Sequence, residues 1–164
     1  MWVDDKSLIG VPMRCDRCGG EVVHFQRYSG LCLCGEHLAA SLEARAKRLI
    51  RERGWVRPGD RIAVGLTGGP GSGALLRFLS EHFGMRRDLS LVAVTVDEGP
   101  ASGMDMAGIR EMAERMGVEW AGTRTEDPRL RDQSLASLAR DAGATRLALG
   151  TSLDDLAGRV FLSV

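Results

Sequence analysis

Four residues near the N-terminus have the types and spacing of a metal site. Two residues separate Cys15 from Cys18, and two separate Cys34 from His37. Each short pair closes a tight turn around one edge of an ion, and two such pairs supply the four corners that tetrahedral zinc needs. Gly19, Gly20 and Gly35 relax the backbone at both turns. No ligand position is left open, so the expected role is structural. Cys32 is surplus, because using it in place of Cys34 would lose the two-residue spacing to His37. His24 reads as an ordinary strand residue. The competing reading, inert buried thiols, leaves a segment of roughly 25 residues to fold on its own apolar area, which is too little. Structural zinc supplies on the order of 10 kcal/mol to such a unit.

A second stretch, RIAVGLTGGPGSGALLRF from Arg61 to Phe78, has the form of an anion-binding device. Arg61–Leu66 reads as a buried strand and Thr67–Gly73 as a glycine-rich turn. Ala74–Phe83 carries Leu75, Leu76, Leu79 and Phe83 at helical spacing. Closely set glycines let main-chain N–H groups approach a ligand, and the helix start adds about half a positive charge. Phosphate is the usual occupant. The string is neither a Walker loop, since no Gly-Lys-Ser/Thr closes it, nor the dinucleotide fingerprint, since Gly73 comes one place early. A sharp strand-to-helix turn that binds nothing fits the loop's composition equally well. Two further turns carry acids after apolar runs: Asp97-Glu98-Gly99 after Ser90–Val96, and Gly150–Asp155 after Arg146–Leu149. Asp97 also suits a capping or loop acid. Asp154 and Asp155 suit either Mg2+, which takes one or two protein carboxylates, or the N-terminus of a last helix.

The elements that must position these residues follow from periodicity. Strands are expected at 61–66, 90–96, 118–121 and 146–149, and helices at 74–83, 104–116 and 129–142. The methionines of 104–116 lie on its buried stripe with Ile109 and read as core filling. Strands alternating with helices imply an α/β fold with a parallel sheet and right-handed crossovers. Ligands of such sheets bind at the carboxyl ends of the strands, where the loop at Thr67, Asp97 and the turn at Gly150 would converge.

Between the knuckles and the sheet, Leu38–Arg53 has helical propensity and period, with Leu42, Ala46, Leu49 and Ile50 as its apolar stripe. Arg45, Lys47, Arg48, Arg51 and Arg53 face only Glu43 and Glu52, a net charge of about +3, and Gly54 is placed to end the helix. A solvated surface face explains such a run; so does contact with RNA phosphates at Arg45, Lys47, Arg48 and Arg51. The chain thus divides into a Cys3His zinc finger (1–40), a basic linking helix (41–57) and an α/β domain (58–164).

Composition narrows the partners. The 164 residues are 44% hydrophobic and 27% charged, with 22 Lys plus Arg against 22 Asp plus Glu. No global field drives the chain onto a polyanion, so any nucleic-acid contact is local. No apolar run approaches the length of a membrane span. MWVDDKSLIG carries acids early and lacks a long apolar core, unlike a secretory signal. The expected compartment is the cytoplasm, where clustered cysteines bind metal more often than they form disulfides.

TGGPGS resembles SGGxDS, the loop of the PP-loop ATP pyrophosphatases, and the wider order of motifs sharpens the likeness. Cys-x2-Cys, RYSG, Cys-x2-His-Leu, a basic helix, PGDRIAV, the glycine loop, VDEG and GTSLDDLAG together are similar to the zinc-finger group of PP-loop tRNA 2-thiolation proteins. The resemblance implies a PP-loop nucleotide-binding domain, adenylation of a tRNA uridine by ATP with Mg2+, and sulfur insertion. It implies nucleotide contacts at Thr67, Gly68, Gly69, Gly71, Ser72, Val96, Asp97 and Gly150, with Asp154 and Asp155 toward Mg2+. It also implies tRNA and a full-length thiolation homologue or sulfur-carrier protein as partners. Three departures stand out. Gly71 replaces the loop acid, and losing one well-placed electrostatic group commonly costs about 10²- to 10³-fold in rate. TRTEDPRLRDQS holds no cysteine where relatives carry them for sulfur transfer or an iron–sulfur cluster, and none follows Cys34. The sequence ends at Val164, where relatives continue. The expectation is a reduced homologue that holds an adenine nucleotide without competent thiolation. The alternatives are a zinc-finger module for tRNA or protein, and an enzyme completed by another chain.

Overall fold

The computed structural model describes residues 14–99, 102–125 and 127–152. They form two compact units, divided between Trp55 and Val56. In the first, Cys15–Gly20 forms a knuckle: the Gly19 amide donates to Cys15 O at 2.7 Å and the Cys15 amide to Gly20 O at 2.9 Å. Strands β1 (His24–Gln26) and β2 (Leu31–Leu33) then pair antiparallel, with Phe25 opposite Cys32. Asp16 ties the knuckle to β2: its Oδ2 accepts from the Cys32 amide at 2.7 Å. Among the described residues, Leu33 and Cys15 are this unit's buried apolar ones.

Helix α1 runs Gly35–Arg53 and ends at Gly54 in the left-handed region, φ 59°, with the Trp55 amide on Ile50 O. It starts three residues earlier than the periodicity over 38–53 indicates. Cys34 is its N-cap, so His37 lies in its first turn. One spacing therefore serves both the ligand pair and the helix start, so finger and helix share residues that the sequence reading divides at 40/41.

The second unit is a parallel sheet of β3 (Arg61–Gly65), β4 (Ser90–Asp97), β5 (Glu119–Arg124) and β6 (Arg146–Leu149), in the order β5-β4-β3-β6. The chain moves outward from β3 to β5 and then returns to the other side of β3. Helices α2 (Pro70–Phe83) and α3 (Met106–Arg115) cover one face, burying Leu76, Leu79, Ile109 and Ala113 against Ile62, Val64 and Ala93. Helix α4 (Arg131–Asp141), entered through a 3-10 turn at Pro128–Leu130, covers the other, packing Leu135 and Ala139 on Ala63, Val92, Val94 and Val96. A strand buried on both faces needs apolar residues at successive positions, which SLVAVTV supplies.

Polar clamps at the amino ends of the strands hold β6 in register beside β3. Asp60 accepts from Thr145 Oγ1 at 2.8 Å and from the Arg57 amide at 2.8 Å, with Arg146 Nε at 3.4 Å. The Thr145 hydrogen bond leads the groups that hold its carboxyl below the ordinary aspartate range, against the opposing effect of burial. Arg61 reaches Ala142 O at 2.7 Å and Glu119 at 2.5 Å, joining β3 to α4 and β5. Asp154 and Asp155 lie outside the described residues.

Candidate metal centre and candidate nucleotide site

The metal centre is built by three short pieces of chain. The first knuckle offers Cys15 and Cys18, the end of β2 offers Cys34, and the first turn of α1 offers His37. Their ligand atoms all lie within 4.8 Å of one another. Cys18 Sγ is 3.7 Å from Cys34 Sγ, Cys15 Sγ is 3.6 Å from His37 Nδ1, and Cys34 Sγ is 3.2 Å from the same nitrogen. A tetrahedron with Zn–S of about 2.3 Å and Zn–N of about 2.0 Å has edges of about 3.8 Å between sulfurs and about 3.5 Å from sulfur to nitrogen. The donor set therefore fits one tetrahedral ion, and its separations are far too long for a disulfide.

The knuckle also prepares its sulfurs electrically. Burial pushes the Cys15 thiol up, but the main-chain amides of Cys34, Arg17 and Cys18 outweigh it and bring the group down to about 6. Thiolate is the ligand form. At Cys18 the Gly20 amide pulls down, while hydrogen bonding with Cys15 and Cys34 pushes up and wins. A Cβ on Gly20 would stand 3.3 Å from Cys18 Sγ, so glycine lets that amide approach. Cys32 is outside the ligand set and His24 is an exposed strand residue.

The glycine loop lies at the carboxyl end of β3. Thr67, Gly68 and Gly71 are exposed and Ser72 is buried. The Ser72 hydroxyl organises the turn: it donates to Gly69 O at 2.8 Å and accepts from the Thr67 amide at 3.2 Å. Gly68 adopts φ 75°, which a side chain would strain. Gly69 is the N-cap of α2, extended at φ −82° and ψ 159°, and Pro70 opens the helix. Proline suits that position because its missing N–H has no intrahelical acceptor there. The α2 N-terminus has no side-chain cap.

Gly150, after β6, meets this loop across the point where the strand order reverses. A Cβ on Gly71 would stand 2.8 Å from Gly150 O, and one on Gly150 would fall on the Gly71 carbonyl and 2.7 Å from Ser72 N. The two backbones touch because neither position carries a side chain. Of the residues that the sequence singles out, Thr67, Gly68, Gly69, Gly71, Ser72 and Gly150 thus gather at one mouth.

Asp97 ends the next strand, and it is fully occupied. Its Oδ2 accepts from Arg124 Nε at 2.9 Å, and its Oδ1 from the Gly99 amide at 3.0 Å and Ser102 Oγ at 3.1 Å. The Arg124 hydrogen bond is the main cause holding this carboxyl below the usual range, against burial. Glu98 pairs with Arg131 at 3.0 Å. Val96 is buried against α4, so its side chain faces the core, and it pairs with Thr123 in the β4–β5 ladder. Arg124 is the participant that sequence reasoning missed; no local pattern links residues 27 positions apart.

Arg45, Lys47, Arg48 and Arg51 are all exposed on α1. Arg48 contacts Glu52 at 3.8 Å, an exposed pair of small worth.

An α/β domain of the PP-loop class, with a glycine loop at the switch point and an N-terminal zinc-type site, is what fold and site define. Residues 14–39 match the family model described as 2-thiouridine synthetase TtuA, N-terminal LIM domain. The chain is 32% identical to the tRNA 2-thiolation protein NcsA of Haloferax volcanii over 87% of its length and 54% of the relative's. It is 29% identical to cytoplasmic tRNA 2-thiolation protein 1 of Bos taurus over 82% and 47%. Among solved structures, the U34-tRNA thiolase NcsA from Methanococcus maripaludis with its 4Fe-4S cluster superposes with a TM-score of 0.75 at 22% identity, over 93% of this chain and 59% of that one. The chain belongs to the zinc-finger group of PP-loop tRNA 2-thiolation proteins. It spans about half the length of the curated relatives it matches. Among the described residues, no helix is long and apolar enough to cross a membrane.

Proposed function

We propose that this chain is a PP-loop protein of tRNA 2-thiolation that holds an adenine nucleotide at the loop Thr67–Ser72, on the amides of Gly68, Gly69, Gly71 and Ser72, and does not itself transfer sulfur. The observation that carries the reading is the uncapped, exposed α2 N-terminus facing Gly150 across the strand reversal. Main-chain amides and the helix dipole attract polyphosphate without a side-chain acid. Gly71 withholds the carboxylate that the family loop supplies, and Asp97 and Glu98 are already paired. The Mg2+ that accompanies ATP would therefore rely on Asp154 and Asp155. TRTEDPRLRDQS holds no thiol, so sulfur transfer through that place would need one from a full-length relative or a sulfur-carrier protein. The compartment is the cytoplasm.

The test is calorimetric titration with Mg-ATP. Binding with thermal stabilisation, and no AMP release with tRNA, is the expected result. An absence of both heat and stabilisation at millimolar ATP overturns the nucleotide reading. AMP release and thiolated tRNA from the isolated chain overturn the inactive one.

The metal of the Cys3His centre is zinc in a structural role. A four-iron cube places each ligand on a different iron, which requires wider separations than a span of 4.8 Å. Metal analysis of protein purified without added metal should return about one zinc per chain; iron with a visible charge-transfer band would refute the assignment.

The finger and α1 favour tRNA as partner, through the exposed Arg45, Lys47, Arg48 and Arg51. Binding measured against salt tests this. Arg45→Ala, Arg48→Ala and Arg51→Ala together should reduce the slope by about two to three, and an unchanged slope rejects the patch.

A further inference from the structure

The small unit distributes its side chains against the usual rule. Gln26 is buried at 4% exposure, while Val23, Phe25 and Tyr28 in the same hairpin are 58%, 44% and 71% exposed. A buried polar residue beside exposed large apolar ones is the informative departure from ordinary burial. Gln26 is satisfied inward: its amide reaches Ser41 of α1 at 3.5 Å and Ser29 donates to its Oε1 at 3.0 Å. At Gln26 the hairpin attaches to the helix through polar groups, and it leaves its aromatic residues outside.

Tyr28, the only tyrosine in the sequence, is held from one side. The Arg45 guanidinium lies over its ring, 5.6 Å from the centroid. That contact restrains the ring, and the 71% exposure leaves the rest of its surface open. The surroundings are cationic: residues 14–55 hold eight Lys or Arg against five Asp or Glu. Arg48 stands three residues from Arg45, a neighbour on the same helix side. An aromatic face backed by a guanidinium and flanked by cations matches what binds an unpaired nucleobase and its phosphates: stacking for the base, charge for the backbone. An acidic protein would use the charges and would have less use for a restrained, flat, open ring.

We propose that Tyr28, backed by Arg45, is a stacking platform for an unpaired base of RNA. This rests on the reading of the finger and α1 as an RNA-binding unit and adds to it single-strand selectivity and the residue that confers it. Stacking is insensitive to salt, whereas phosphate contacts are not, so the two contributions separate experimentally.

The experiment measures the 164-residue chain against an unmodified tRNA transcript, a 12-nucleotide oligouridylate and a duplex RNA of equal length, each over a salt series. Tyr28→Ala should weaken oligouridylate and tRNA by about tenfold or more, as expected for a lost base–aromatic stack. It should leave the salt slope and the duplex unchanged, and Tyr28→Trp should restore affinity. Arg45→Ala should weaken binding and also lower the slope by about one. Tyr28 is exposed, and metal content of one per chain verifies that each variant keeps its finger. Unchanged oligouridylate affinity in Tyr28→Ala overturns the platform and assigns the face to a protein, while tRNA binding by the parent keeps the broader reading. If the parent ignores tRNA but binds oligouridylate through Tyr28, the platform stands and the tRNA reading falls.

Discussion

Gly71→Asp would write the family's acid into the loop, and it should not raise AMP release with tRNA. A Cβ at this position would lie 2.8 Å from Gly150 O and 3.6 Å from Gly150 C. The neighbour is main chain at the end of β6, so it cannot rotate away as a flexible side chain would. One of the two segments must move by several tenths of an ångström. Overpacking of this kind costs about 1–3 kcal/mol. For a unit the size of Val56–Val164, that corresponds to a fall in melting temperature of roughly 4–15 °C. The added carboxylate would also sit beside a carbonyl oxygen, a repulsive neighbour unless a cation intervenes. The assay is thermal unfolding of Gly71→Ala, Gly71→Asp and Gly73→Ala, with and without Mg-ATP. Gly73 is the internal control: it lies two residues along the same helix, and its Cβ would meet only Met112 Sδ at 3.7 Å. Alanine there should stabilise by up to about 1 kcal/mol through helix propensity. Both Gly71 variants should melt lower, and neither should gain AMP release with tRNA. If Gly71→Asp melts like the parent and splits ATP, the contact with Gly150 does not govern the loop and the reasoning is wrong.

Other outcomes follow from the same geometry. Chelating the metal should unfold Arg14–Trp55, read by the loss of Tyr28's near-ultraviolet signal, while the sheet unit keeps its own melting transition; one common transition would contradict this. Asp60 and Asp97 titrate below the ordinary aspartate value, so their contribution to stability is complete above it and is lost as pH falls through the depressed values. Asp97→Asn should therefore flatten the acid side of a stability profile below about pH 4, and an unaltered acid limb would refute the role of its Arg124 pair. Gly54→Ala places a Cβ at φ 59° and removes a relaxed helix end, costing about 1 kcal/mol; a rise in the finger unit's stability would show that α1 ends elsewhere in solution.

Much of this was readable in the residues, for reasons that differ by element. The knuckles were legible because ligand spacing is a local constraint. The strand β4 was legible because burial on both faces demands a continuous apolar run. The expected third strand over 118–121 is instead β5 at Glu119–Arg124, since Gly122 and Arg124 on either side of Thr123 break the strand signature. Pairing with β4, Val96 opposite Thr123 and Asp97 opposite Arg124, extends it. That extension brings Arg124 onto Asp97, which is why an acid that looked available is spent. The side of β3 on which β6 lies is likewise a property of the whole sheet, and with it the contact between Gly71 and Gly150.

These two hidden features bear on one conclusion about the mouth of the sheet. An enzyme that splits a triphosphate needs charges that act more strongly on the transition state than on the bound nucleotide. Main-chain amides at a helix start act on both. At this mouth the acid position is a glycine whose Cβ site is taken by Gly150, and the neighbouring carboxylates answer to Arg124 and Arg131. Removing the Arg124 hold is therefore the sharper probe of whether latent chemistry survives. Arg124→Gln keeps one hydrogen bond to Asp97 but removes the charge. If it raises Mg-dependent AMP release above the parent, Asp97 is a suppressed catalytic acid; if it only lowers stability, the Asp97–Arg124 pair serves the fold and not catalysis.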